Sequence, residues 1–229
     1  MSAVAKAAQL AEDRFARLLE QRGYAYRRET ELEQEIAVRG ARPDFCVRIN
    51  PQTLLLAEVK SFNRPPLALG SGPFVQFPLE PLLKPLRCAV EEAGKQLKAY
   101  RADGFATIVI LDGASARGVP INVEYLRDAL FGNPERRIEA DGKTIGPWEP
   151  HRGRGQLFHI SRKRYISAVA WNLSKPLNRE NTRLRVVHNP FSTVPLPLDV
   201  FRDKEDEHWG YEGDGRWVRF GVIGNPAIV

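Results

Sequence analysis

Two carboxylates and an amine lie close together near the front of the chain, in Pro43-Asp44 and in Glu58-Val59-Lys60. The second patch closes the apolar run Leu54-Leu55-Leu56-Ala57. Side chains alternate along a strand, so Glu58 and Lys60 are expected on one face and Ala57 and Val59 on the other. A face carrying Glu, Lys and a nearby Asp is poor core material, because burying unpaired charge is costly. It is suited to holding a divalent metal and activating a water.

Those residues need elements to position them. Residues 3–22 read as a helix with Val4, Ala8, Ala11, Phe15, Leu18 and Leu19 on one broad face, closed by Gly23 as C-cap. At about 100° per residue Glu12 falls within that apolar stripe, whereas Asp13 falls on the polar side near Arg17 and Glu20. Tyr24 to Glu31 reads as a first strand. Ala41–Ile49 and Thr53–Phe62 read as two strands joined by Asn50-Pro51-Gln52. Residues 63–85 hold six prolines and two glycines, so they read as a long irregular insertion.

Arg87 to Arg101 is expected to form a second helix, and Phe105–Leu111 a wholly apolar strand buried on both faces. Asn122–Phe131 reads as a short amphipathic helix, and Asp141-Gly142 as a hairpin turn. Tyr165–Leu173 and Leu184–His188 read as strands. The segment from Ser192 onward gives no clear pattern. A soft boundary falls between 113 and 155, which divides the chain into a core, residues 1–115, and an extension, residues 116–229.

At 229 residues the chain is long enough to bury a real core. Its net charge of +6 favours an anionic partner, and the excess is uneven: +1 over residues 1–150 and +5 over residues 151–229. Cys46 and Cys88 lack metal-ligand spacing and read as packing residues rather than a disulfide, which suits a reducing compartment. No apolar run reaches the length of a membrane span, and the first residues lack a hydrophobic signal core. The expectation is a cytoplasmic protein with no membrane partner.

Pro43-Asp44 followed by Glu58-Val59-Lys60, 14 positions from Asp44 to Glu58, resembles the PD-(D/E)XK nuclease superfamily. Glu12, eleven residues before Gly23, resembles the first-helix acid of the archaeal Holliday-junction resolvase branch. Gln96-Leu97-Lys98-Ala99-Tyr100 resembles the Q-x-x-x-Y motif of the RecB-like branch, where the pair lies beside the active site and contacts substrate. The resemblance covers residues 8 to about 113.

It implies an α/β fold with a restriction-endonuclease-like core, α-β-β-β-α-β, whose mixed central sheet is flanked by helices and joined by a mostly β C-terminal extension. It also implies a Mg²⁺-dependent DNA endonuclease, with Mn²⁺ able to substitute, that leaves a 5′-phosphate and a 3′-hydroxyl. Asp44, Glu58 and the Val59 carbonyl would hold the metal through hard oxygen ligands. Glu12 would hold a second metal or a metal-bound water, and Lys60 would stabilise the transition state. Homodimers that cut both strands are common among such nucleases.

Arg152, Arg154, Arg162, Lys163 and Arg164 fall within 14 residues that contain no acid. They read as a phosphate-backbone surface giving salt-dependent, sequence-independent affinity. His151, His159, His188 and His208 lack metal-ligand spacing, and no nucleotide-binding loop or nucleophile elbow is present. Three alternatives stand beside the DNA endonuclease: a non-catalytic nucleic-acid-binding module, an endonuclease acting on structured RNA, and a subunit that a protein partner targets.

Overall fold

The structure is a computed structural model that describes residues 2–34, 36, 40–51, 53–61, 79–113, 122–132, 135–138, 145–149, 156–174, 182–212 and 216–220. Its first helix, α1 (Ala3–Gln21), starts at Ser2, whose hydroxyl accepts the Ala5 N–H at 3.2 Å. It ends where Gly23 takes φ +70°, a conformation that only glycine adopts cheaply. The Gly23 N–H then reaches the Glu20 carbonyl and the Tyr24 N–H reaches Leu19, closing the helix with a Schellman pair.

β1 (Ala25–Arg28) follows, then a 3₁₀ segment over Glu29–Gln34. The expected first strand is therefore shorter, and its last residues turn away. β2 (Phe45–Asn50) and β3 (Thr53–Ser61) form the expected antiparallel hairpin, with Phe45 opposite Ala57 and Cys46 opposite Leu56. β2 begins four residues later than expected, after Pro43.

α2 (Leu79–Leu97) is longer than the expected helix and takes in Pro81 and Pro85. The expected insertion therefore ends earlier, and its first part, 63–78, lies outside the described residues. Proline is tolerated in a first helical turn, where amides have no partner. Pro85 removes one interior hydrogen bond, which burial of Leu83, Leu86 and Val90 offsets.

β4 (Ala106–Asp112) pairs parallel with β3 and is buried at every position. α3 (Val123–Phe131) is capped by Asn122, whose side chain accepts the Tyr125 N–H at 2.9 Å. β5 (Glu135–Ile138) and β6 (Ile145–Glu149) pair antiparallel in a separate hairpin, and the Asp141-Gly142 turn lies outside the described residues. β7 (Ala168–Ser174) and β8 (Thr182–His188) match two expected strands. β9 (Glu207–Tyr211) and β10 (Trp217–Phe220) fall in the segment that gave no sequence pattern.

The architecture is α/β. Eight strands form one mixed sheet in the order β1-β2-β3-β4-β7-β8-β9-β10, with β3, β4 and β7 parallel to one another and β8 parallel to β9. Both faces are covered. Phe15, Leu18 and Leu19 of α1 pack with Ala57, Val59, Ile108 and Ile110 on one face. Leu86, Val90 and Ala93 of α2, with Leu130 of α3, pack with Leu56, Val109 and Leu111 on the other. The alternation that the sequence predicts for β3 is thus present, and β4 is buried on both faces as its apolar run predicts.

Cys46 is buried, but Cys88 is exposed and free, so only the first is a packing residue. Among the described residues no helix is long and apolar enough to cross a membrane.

Candidate active site

β2 and β3 carry the site. Their register places Asp44 just beyond the Phe45–Ala57 pair, opposite Glu58. The Val59 N–H donates to Asp44 Oδ2 at 2.7 Å, so the hairpin backbone itself aims the Asp44 carboxylate. Glu58 and Lys60 share the sheet face that α2 covers, while Ala57 and Val59 point toward α1.

Glu58 has no solvent exposure. Lys60 Nζ donates to its Oε1 at 2.7 Å, whereas Oε2 is buried with no hydrogen-bond partner. Burial, reinforced by the neighbouring Asp44 charge, pushes the Glu58 carboxyl up to about 8 against the pull of Lys60 and the Asp44 amide. Asp44 is also raised, first by burial and then by Glu29, with the Val59 amide and Lys60 opposing.

Gln96 of α2 supplies the other anchor for the lysine. Lys60 Nζ donates to Gln96 Oε1 at 3.0 Å. An ammonium has three donors, and two of them are thus directed by Glu58 and Gln96. α2 ends at Leu97, and Tyr100 closes a 3₁₀ turn over Lys98–Tyr100 with its side chain fully buried in the core. The ring of Tyr100, expected from the sequence to contact substrate, packs among apolar neighbours of the core and has no solvent exposure.

Glu12 lies beside the hairpin, on α1. Its carboxyl is raised first by burial and then by Asp44, while Arg28 opposes. The neighbouring Asp13 accepts from Arg28 at 3.0 Å and from Gln9 at 3.3 Å. The setting of α1 is fixed two residues on, where Arg14 Nε donates to Asp112 Oδ1 at 3.0 Å and a second guanidinium nitrogen meets Oδ2. Asp112 is fully buried at the end of β4 and also accepts from Asn172 of β7 at 3.4 Å.

Glu29, Arg14 and Asp112 are participants that sequence reasoning missed. The Glu29 N–H donates to the Asp44 carbonyl at 2.9 Å, and its charge raises both Asp44 and Glu12. Only strand register brings Glu29 beside Asp44. An acid ending the apolar run Ala106–Leu111 was the available signal for Asp112.

The donor set is one of hard oxygens, suited to Mg²⁺ or Mn²⁺. An orphaned buried carboxylate oxygen on Glu58, and carboxyls raised first by burial and then by Asp44 at Glu12 and Glu58 and by Glu29 at Asp44, are features that a divalent cation would relieve. Among the described residues no three acidic, histidine or cysteine side chains converge into a ready-made cage.

Arg162 and Arg164 are exposed and Lys163 half-buried, on the loop before β7. Arg152 and Arg154 lie outside the described residues. Comparisons with protein-family models, with curated proteins and with solved structures each found no match.

Proposed function

We propose that this protein is a metal-dependent nuclease with a restriction-endonuclease-like core, hydrolysing phosphodiester bonds in DNA. One observation carries the reading. Asp44 and Glu58 face each other on adjacent strands, with Lys60 held between Glu58 and Gln96. An exposed ion pair would have little reason for a fully buried Glu58 with one oxygen left unbonded.

Asp44, Glu58 and the Val59 carbonyl would hold the metal, and Glu12 would bind a second ion or a coordinated water. When bound, the metal lowers the pKa of water and offsets charge gathering on the phosphate. Asp44 keeps its orientation through the Val59 amide. Glu58, its carboxyl raised by burial and by Asp44, would give up its proton to hold the ion. Lys60 offers its remaining N–H to the phosphate oxygens as negative charge builds, and Gln96 keeps the ammonium from swinging away. Arg162, Lys163 and Arg164 contribute affinity for the sugar-phosphate backbone.

The test is cleavage of supercoiled, linear, single-stranded and four-way-junction DNA, and of matched RNA, with Mg²⁺, Mn²⁺ or EDTA. Glu58→Ala/Lys60→Ala is the control protein. Metal-dependent cutting that disappears in the control supports the assignment, and the preferred substrate identifies the branch. Binding without cutting under every metal supports the non-catalytic module instead.

A further inference from the structure

α2 carries a second cationic feature. Lys95, Lys98 and Arg101, at the end of α2 and the 3₁₀ turn after it, line a cleft of about 710 Å³ with Arg162, Lys163 and Arg164 from the loop before β7. The six cations come from chain segments some 60 positions apart, so local sequence does not explain their meeting. Cations near a helix C-terminus also offset its dipole. That accounts for the first three and leaves the loop's contribution unexplained.

Two structural facts show that the loop is held in place. Lys163 has φ +51°, a left-handed conformation that is costly for a residue with a side chain. The buried Asn189 stabilises it, donating from Nδ2 to the Lys163 carbonyl at 3.2 Å and to the Ile166 carbonyl at 2.8 Å. Gly94 of α2 provides the seat. A Cβ there would come within 3.2 Å of Tyr165 Oη and of Ile166 Cδ1, and 3.5 Å of Lys163 Nζ. Burial and the charges of Lys98 and Lys95 all disfavour the charged form of Lys163, and Glu91 is the acid that opposes them. Cations brought together against repulsion leave a field that an anion would relieve.

The geometry points to this cleft as the seat of a sugar-phosphate backbone, the flank of the nucleic acid beyond the bond being cut. Three cations over Lys95–Arg101, facing three more from the loop before β7, suit a run of phosphates better than one small anion. Gln96 of the same helix contacts Lys60, so α2 carries both the anchor of the candidate catalytic lysine and cations of the cleft. The inference takes the position of the scissile bond from the nuclease reading, while the binding itself does not depend on catalysis.

The experiment measures anisotropy of a fluorescein-labelled 30-nucleotide DNA, single-stranded or duplex, in EDTA over a salt series. The host is the cleavage-deficient Lys60→Ala protein. Lys98→Glu/Arg162→Glu is compared with Lys6→Glu/Lys204→Glu, an equal charge reversal on exposed residues elsewhere, after circular dichroism shows both variants folded. The cleft variant is expected to bind at least tenfold more weakly than the control variant. The slope of log K against log salt should be shallower by about two, near 0.9 for each lost phosphate contact. Equal weakening in both double variants overturns the cleft, as does no DNA binding by the host at low salt. Cutting by the otherwise wild-type chain together with equal weakening removes the cleft and leaves the nuclease. Cleft-dependent binding with no cutting retains the cleft and removes the catalytic assignment.

Discussion

Asp44 and Val59 are joined by a 2.7 Å hydrogen bond from the Val59 amide to the Asp44 carboxylate, so the residue between Glu58 and Lys60 sets the direction of the acid on the neighbouring strand. The two halves of the candidate site are thereby locked in one register. A change in either strand moves both carboxylates together.

Lys60→Ala removes the ammonium and leaves the three carboxyls. Cleavage is expected to fall by about a hundredfold to a thousandfold, with Mn²⁺ affinity by calorimetry changed little. Turnover equal to the unaltered protein would remove Lys60 from the chemistry.

Glu12→Gln and Asp13→Asn separate two adjacent acids by their surroundings. Asp13 meets Arg28 at 3.0 Å with both side chains more than a third exposed, so its loss should cost at most about 1 kcal/mol and little activity. Glu12 is raised first by burial and then by the charge of Asp44, so it feels the candidate site electrostatically. Its neutralisation should lower single-turnover rates well below those of Asp13→Asn, and the opposite ranking would displace it.

Glu58 makes the metal-free protein sensitive to alkali. Its folded pKa of about 8 lies above the unfolded value of 4.5, so between these limits the native state holds a proton that the unfolded chain lacks. Stability from this site is therefore present at low pH and declines as pH rises through that window. Thermal melts in EDTA from pH 6 to 9 should show a smaller decline for Glu58→Gln than for the unaltered chain. Parallel melting curves would contradict the buried-carboxyl reading.

Asp112→Asn leaves the Arg14 guanidinium without its anion at the junction of α1 and β4. Loss of one partner from a buried pair costs about 3–5 kcal/mol, so chemical denaturation should show a large loss of stability. Metal-dependent rates below the melting range should also fall, because Glu12 loses the fixed setting of its helix. Unchanged stability would mean the pair is screened by solvent.

His188 and His208 give the opposite pH response. His208 Nε2 lies 3.1 Å from the Phe201 carbonyl and so carries a hydrogen, which leaves Nδ1 to accept from His188 Nε2 at 2.9 Å. Both rings are neutral in this arrangement. Burial and His208 lower His188 from 6.5 to about 3, so across that window the unfolded chain binds a proton that the native state refuses. Stability is full above pH 6.5 and falls as pH drops toward 3. His188→Gln should melt lower at neutral pH yet lose less on acidification; an equal acid loss would exclude the pair as the cause.

The site's central residues were legible because period-two alternation alone places Glu58 and Lys60 together, and helical period alone separates Glu12 from Asp13. Helix limits were harder to read. Prolines at 81 and 85 mark a break in local propensity, yet burial of Leu83 and Leu86 carries the helix through them. Tyr100 shows a related limit, since a four-residue spacing implies a shared face only while the helix lasts, and α2 stops at Leu97. Glu29 and the second row of cations became visible only through register and tertiary packing. β9 alternates over only five residues and β10 spans four without alternation, too short for a pattern to stand out, and their pairing comes from a sheet already built.

The strand order also has a consequence in time. β4 is apolar throughout and lies between β3, which precedes it, and β7, which begins at Ala168. At roughly 5–20 residues per second, several seconds of synthesis separate the completion of β4 from the arrival of the strand that covers its second edge. During that interval the nascent chain presents an unpaired hydrophobic edge, the form of surface that recruits other strands. Yield of the folded protein should therefore depend on protection at the ribosome more than on the stability of the finished sheet.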